Sequence, residues 1–289
     1  MKIIFIINPA SGSLSNKPGT QYLLDYFKGG DLEIQVQETT SQGHAAELAF
    51  TAIEKGANAV VAVGGDGTVN EIANVLHGKN CALGIIPCGS GNGLARHHKI
   101  PMNVPGALQV VKKLHIISHD SARINGKLSF NVSGIGFDAH VAHLFGKDGK
   151  RGFNNYIKLV IKEFPAYKEK TIRVTASGVI TSQPVMLAAI ATASQFGNNA
   201  TISPVSDTND GISNLTLVRK MNAISLPIFM YQVFTKKVEQ SEYAKLLRDE
   251  KFVIECENEM PLHIDGEPAG FSDKFVVQTL KGDLKIIVP

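Results

Sequence analysis

Gly64-Gly65-Asp66-Gly67-Thr68 lies between an apolar run, 60–63, and residues 69–76, whose apolar positions recur at helical spacing. Three glycines in four positions let the backbone turn sharply and leave no side chain between its N–H groups and a ligand. Where such a turn feeds a helix, backbone donors and the helix dipole together hold phosphate. Asp66 complicates this reading, because a carboxylate beside a phosphate repels it unless a cation stands between them. It points to Mg2+ or to a network of charges; the plainer alternative is a tight turn in which the aspartate caps its helix. The chemistry suggested is phosphoryl transfer.

Other loops have related composition. Asn8-Pro9-Ala10-Ser11-Gly12-Ser13 joins a glycine to two hydroxyls, which suits a second phosphate or nucleotide contact, although the same residues make an ordinary turn. Pro87-Cys88-Gly89-Ser90-Gly91-Asn92-Gly93 follows an apolar strand at 81–86, and Thr39 opens a polar turn at 39–44. The elements that position these loops alternate: strands at 2–7, 32–38, 60–63 and 81–86, helices at 20–27, 45–55 and 70–76. Strands alternating with helices predict a parallel α/β sheet, and ligands of such sheets collect at the carboxyl ends of the strands. All four loops emerge at that edge.

After about residue 120 the pattern changes. Short candidate strands fall at 120–124, 127–133, 171–176, 184–192, 214–218, 252–256, 260–264, 275–280 and 284–288, several separated by turn signals such as Asn125-Gly126 and Asp210-Gly211. Helices are expected only at 153–164 and 225–236. The predicted fold is an α/β domain over 1–119, followed by a mainly antiparallel β-sandwich domain over 120–289, with a cleft between them as the site. Gly134-x-Gly136-x-x-Ala139 matches a dinucleotide-binding pattern, but the region after it reads as a helix without the acidic ribose contact that pattern requires. These glycines are better read as positions where the backbone turns closely.

Composition narrows the function classes. The net charge of +3 is mild and the basic residues are scattered, which gives no electrostatic case for nucleic acid. Cys81, Cys88 and Cys256 lie far apart, fitting free thiols in a reducing compartment and no zinc site. Residues 1–7 read as a strand rather than a signal peptide, and no uncharged apolar stretch reaches the roughly 20 residues that cross a bilayer. A cytoplasmic protein is expected.

The ordered set Asn8-Pro-Ala-Ser-Gly12, Gly64-Gly-Asp-Gly-Thr68 with Asn70-Glu71, Pro87-Cys-Gly-Ser-Gly-Asn92, Asp210-Gly211 and Ile264-Asp-Gly-Glu267 resembles the diacylglycerol kinase catalytic-domain family, which includes bacterial soluble lipid kinases and sphingosine kinases. The resemblance spans nearly the whole chain. It implies an NAD-kinase-like nucleotide-binding domain before a β-rich lipid-binding domain, with ATP and Mg2+ as cofactors. Asn8, Ser11, Gly12, Thr39, Gly65, Asp66, Gly67, Thr68, Asn70, Glu71 and Ser90 are the ATP-contacting set it implies. Asp265 is similar to the family's general base for the lipid hydroxyl, with Glu267 in a supporting charge network and Asp66 in a Mg2+-linked one. Asp265-Gly266 is also good hairpin-turn composition. Asp120 and Asp210 resemble family acids tied to Mg2+, and Asp207 is a further candidate; oxygen ligands suit that ion.

The sequence departs from the family pattern at two positions, the first of which bears on the substrate. Gly93 stands where bacterial diacylglycerol kinases usually carry an aspartate, and Asn214 where related chains often do. Gly-Ser-Gly-Asn-Gly is closer to the sphingosine-kinase form, so the acceptor can be a diacylglycerol, a sphingoid base or a similar long-chain alcohol. Competing readings are an NAD-kinase-like enzyme with a soluble substrate and a catalytically silent nucleotide-binding regulator. A lipid substrate requires transient association with a membrane surface, and residues 221–234, followed by Lys236-Lys237, offer an apolar face with a basic end; the same stretch also suits a helix packed on a sheet. A homodimer is left open.

Overall fold

The computed structural model describes residues 1–12, 17–145 and 152–289. Ser13, the second hydroxyl of the first loop, lies outside the described residues. The chain divides into two compact units, one of Met1–His119 with Gly282–Pro289, the other of Asp120–Lys281.

In the first unit β1 (Lys2–Ile7), α1 (Thr20–Phe27), β2 (Glu33–Glu38), α2 (His44–Glu54), β3 (Ala59–Gly64), α3 (Asp66–Leu76) and β4 (Ala82–Pro87) alternate, then α4 (Gly93–His97) and α5 (Val104–Lys113) follow. The strand order is β2-β1-β3-β4, all parallel, with Ile3 opposite Ile34 on one side and Ala59 on the other. Residues 3–6 and 60–63 are wholly buried, which is why these strands read as unbroken apolar runs rather than alternating ones. α5 has no counterpart among the expected elements. Its start is nevertheless written in Asn103, whose side chain accepts the Gly106 N–H at 2.8 Å, with a proline in the first turn.

The last residues return to this unit. Lys285 and Ile286 pair in parallel with Ala82 and Leu83, and Asp283 takes the Gly78 N–H on its carbonyl at 2.6 Å. Its carboxylate lies 3.0 Å from His77 Nδ1. The sequence reading keeps 282–289 with the second domain; the parallel ladder and the His77–Asp283 contact hold the segment to the first unit.

The second unit contains β5 (Ile116–Ile124, from Asp120 onward), β6 (Lys127–Ser129), β7 (Val132–Gly136), α6 (Phe137–Leu144), α7 (Phe153–Glu163), β8 (Lys170–Ala176), β9 (Val179–Val185), β10 (Leu187–Ala191), β11 (Ser213–Val218), α8 (Ser225–Phe234), β12 (Ala244–Asp249), β13 (Lys251–Ile264) and most of β14 (Glu267–Ile287). Strands run β12-β11-β10-β7-β13-β14, with β8 also on β13 and β9 on β8; the pairings within this unit are antiparallel. Alternation along β10 separates two cores. Ala188 and Ile190 join Ile172, Leu215, Phe252 and Phe275 in the sandwich interior, whereas Leu187, Ala189 and Ala191 meet Phe137, Val141, Phe164, Phe229 and Val233 beneath the helices.

Some expected elements differ. The strands at 252–256 and 260–264 are one strand, β13, bent by a register shift between Glu255 and Met260. The strands at 275–280 and 284–288 are both parts of β14. α6 and β12 have no counterpart among the expected elements. Gly134 and Gly136 belong to the β7–α6 turn: a Cβ at Gly134 would run into the Asp138 carboxylate, and Gly136 has φ +99° with the Met186 carbonyl against it. The glycine spacing there is a packing requirement. Among the described residues no helix is long and apolar enough to cross a membrane.

Candidate active site

In the first unit, the loops after β1, β3 and β4 are fastened to one another at the carboxyl ends of their strands. Asn8 donates its side-chain N–H to Thr68 Oγ1 at 2.9 Å and its backbone N–H to the Val63 carbonyl at 3.0 Å. Gly65 N–H reaches Ser11 Oγ at a long 3.4 Å, and Cys88 N–H donates to the Gly64 carbonyl at 2.8 Å. Gly12, at φ +62°, backs directly onto the Cys88 carbonyl, and Gly65 and Gly89 pass Cα to Cα with no room for a side chain. Glycine is required here by close approach of backbone to backbone.

Asp66 and Glu71 both close helix N-termini other than their own. Asp66 Oδ1 accepts the Gly93 N–H at 2.7 Å and Oδ2 the Asn92 N–H at 2.8 Å, at the start of α4. Glu71 accepts the Gly43 N–H at 3.0 Å and the Ala45 N–H at 3.2 Å, at the start of α2. A carboxylate on the first-turn amides of a helix satisfies orphan donors and complements the dipole. Main-chain donors thus meet the Asp66 carboxylate, the charge network that was the alternative to Mg2+. The N-cap of α3 is Gly65, which has no side chain of its own to cap the helix, a form shared with anion-binding termini.

Beside these loops opens a cleft of ≈ 660 Å³, lined by Lys17, Tyr22, Gly89, Asn92, Arg96 and Asn103 among others. Its two cations are oriented by loop carbonyls: the Lys17 ammonium by Asn8 and Pro9, Arg96 Nε by Gly91 at 3.1 Å. Burial pushes the Cys88 thiol at this cleft upward, with the Lys17 charge pulling the other way. Thr39 is buried and its N–H donates to the Ile7 carbonyl at 2.8 Å, so it sits at the same strand edge. Gly67 stands in the first turn of α3, Asn70 one turn further on, where it accepts from Asn74, and Ser90 is exposed on the loop after β4.

In the second unit Asp265 occupies the turn between β13 and β14 with φ +48°. Its Oδ1 accepts the Ser129 hydroxyl at 2.7 Å and the Asn131 N–H at 3.1 Å, and its Oδ2 the Phe130 N–H at 2.8 Å. Asp265 N–H donates to Ser133 Oγ at 3.1 Å. Glu267 is exposed on the far side of the turn and takes no part in this set. The turn has a buried support that motif reading missed. Gly266 N–H donates to His263 Nδ1 at 3.1 Å, so the ring's other nitrogen carries the proton and donates to Asp138 Oδ2 at 3.2 Å. Asp138 Oδ1 in turn accepts the Ala139 N–H at the start of α6.

The three acids expected to bind metal have other partners. Asp120 is fully buried and accepts the Gly211 N–H at 2.6 Å. Asp210 pairs with Arg248 at 2.6 Å and accepts the Ile212 N–H, while Asp207 is exposed and accepts the Asn209 N–H of its own turn. Asp120 and the Asp210-Gly211 turn are thus joined, but through a backbone amide. Among the described residues no group of three or more His, Cys, Asp or Glu side chains is arranged to hold a metal ion.

Residues 2–124 match the model of the diacylglycerol kinase catalytic domain, and residues 131–288 that of the YegS C-terminal NAD kinase β-sandwich-like domain. A "probable lipid kinase YegS-like" protein of Chromohalobacter salexigens is 27% identical over 285 residues, covering 96% of this chain and 91% of its own. The crystal structure of a diacylglycerol kinase from Bacillus anthracis superposes with a TM-score of 0.78 at 20% identity, over 100% of this chain and 97% of that one. An NAD kinase from Archaeoglobus fulgidus, solved in complex with ATP, shares the fold more distantly, with a TM-score of 0.54 at 12% identity over 99% and 93% of the two chains. The chain belongs to the diacylglycerol kinase catalytic-domain family, phosphotransferases that take an alcohol group as acceptor, with a YegS-type β-sandwich following the catalytic domain.

Proposed function

We propose that this protein transfers the γ-phosphoryl group of ATP to a hydroxyl of a lipid: a diacylglycerol, a sphingoid base or a similar long-chain alcohol. The observation that carries the reading is the glycine-led start of α3, set among three interlocked loops and beside a cleft lined by the cations Lys17 and Arg96. First-turn amides from Gly65 to Thr68, with Ser11 and Gly12 opposite, suit a polyphosphate. Asn8 and Thr68 hold two of the loops at a fixed spacing. Asp66 and Glu71 act in this proposal by holding the starts of α4 and α2, and Thr39, Asn70 and Ser90 line the approach.

Asp265 is the proton acceptor in this reading. As the lipid oxygen attacks the γ-phosphorus, its proton passes to the Asp265 carboxylate and ADP departs. Three donors fix the carboxylate's orientation, so positioning is supplied before the lipid arrives. The donor set suits magnesium that arrives on the nucleotide's phosphates, where it would neutralise their charge, and does not suit a resident ion held by Asp120, Asp207 and Asp210.

Incubation with γ-labelled ATP, extracted lipids and NAD tests the reading. Label in a lipid, lost in Asp265→Asn while ATP still binds, is the expected result. Label in NAD, or full lipid turnover by Asp265→Asn, would overturn the acceptor or the base respectively.

A further inference from the structure

We propose that α8 is a membrane-docking helix whose occupant is the surface of an anionic bilayer, a proposal that rests on the lipid-kinase reading above. Residues 221–235 contain no Asp, Glu, Lys or Arg, and they are bracketed by Arg219-Lys220 and Lys236-Lys237. One side of the helix is anchored, with Phe229 and Val233 buried in the core beneath the helices. The opposite side is left bare: Ile224 is 83% exposed, Ile228 60% and Tyr231 62%, at the i, i+4, i+7 spacing that forms a single stripe. A contiguous apolar stripe of this kind on a water-facing helix marks an interaction surface.

Charge and length select the occupant. Lys236 and Lys237 are exposed at the end of the stripe. The preceding pair is already engaged: the Lys220 ammonium is held by the Phe164, Pro165 and Tyr167 carbonyls, and Arg219 by the Glu242 carbonyl. Glu239 lies within the turn Val238–Gln240, whose Val238 is buried, and Glu242 comes after it. An apolar stripe ending in exposed lysines matches an acyl-chain boundary overlaid by anionic headgroups. Ten residues at about 1.5 Å each make a helix of roughly 15 Å, half the hydrocarbon thickness, so it lies in the interface and does not span it.

The chain has no tryptophan, so Ile228→Trp introduces a lone reporter. With vesicles of phosphatidylcholine containing phosphatidylglycerol, its emission shifts to the blue, more weakly in high salt and with phosphatidylcholine alone. The double variant Ile224→Asp/Ile228→Asp sediments with the same vesicles about tenfold less. It keeps its turnover on a short-chain diacylglycerol dissolved as monomer and loses it on bilayer-embedded lipid. Partition that persists in a protein with no lipid kinase activity would sink the kinase reading and leave the docking surface standing. An unshifted emission, or a dimer in sedimentation that the double variant abolishes, would overturn the membrane assignment.

Discussion

Gly93 donates its backbone N–H to Asp66 Oδ1 at 2.7 Å, so the position where related kinases carry an aspartate is here the main-chain partner of the motif's own acid. Because the donor is an amide, the bond does not depend on the side chain at 93. It also identifies what Asp66 does in the absence of any ligand: it closes α4. Asp66→Asn should then lower stability in metal-free buffer by about 1–3 kcal/mol, since one amide would face an NH2 group. Urea unfolding in EDTA measures this. A purely metal-ligating Asp66 predicts an unchanged midpoint.

His263 joins the Gly266 amide to Asp138 and so holds the turn that carries Asp265. His263→Ala leaves a buried carboxylate oxygen without its donor, for a loss of about 1–3 kcal/mol. Because the turn bears the proposed base, kcat should fall while KM for ATP stays as in the parent protein. Steady-state kinetics separate the two. An equal change in both parameters would assign His263 to general stability rather than to positioning.

Much of this arrangement is legible in the sequence, and the remainder has a common physical reason. Residues 60–63 and Gly64–Thr68 can be read locally, because a strand buried on both faces is an apolar run and a tight turn needs glycine. The partners of Asp66 and Glu71 are backbone amides 26 to 28 residues away, and an amide has no letter in the sequence. His263 and Asp138 are 125 positions apart and match no motif. The return of 282–289 to the first unit depends on a parallel ladder to Ala82, a contact of such range that local patterning is silent about it. Asn103 and the proline after it did signal α5; the N-cap was there to be read.

His98 gives the fold an acid-sensitive point. Burial, then the neighbouring rings of His119 and His97, hold its pKa well below the ordinary histidine value, and its Nε2 lies 3.1 Å from His119 Nδ1. The unfolded chain takes up a proton near pH 6.5 that the folded one refuses, so stability is retained above that pH and lost as the pH falls below it. For one proton the slope approaches about 1.4 kcal/mol per pH unit. Urea midpoints between pH 7.5 and about 5 should therefore decline, and His98→Gln should flatten the decline. An unaltered slope in that variant would remove His98 from the account.

Two glycines with similar backbone angles separate conformational strain from loop apposition. Gly12 (φ +62°) and Gly43 (φ +83°) both occupy the left-handed region, but a Cβ at Gly43 meets nothing within 4 Å, whereas one at Gly12 collides with the Cys88 carbonyl. Gly43→Ala should lose only the left-handed penalty, about 1–2 kcal/mol, and leave nucleotide binding intact. Gly12→Ala must add to that penalty a separation of the first loop from the third, loosening the surroundings of the α3 terminus. Its ATP affinity should fall at least about tenfold, the equivalent of about 1.4 kcal/mol in binding, by calorimetry or fluorescent-nucleotide titration. If both variants bound ATP equally well, the close packing of Gly12 on Cys88 would have no part in holding the nucleotide, and the polyphosphate assignment would have to rest on the loops after β3 and β4 alone.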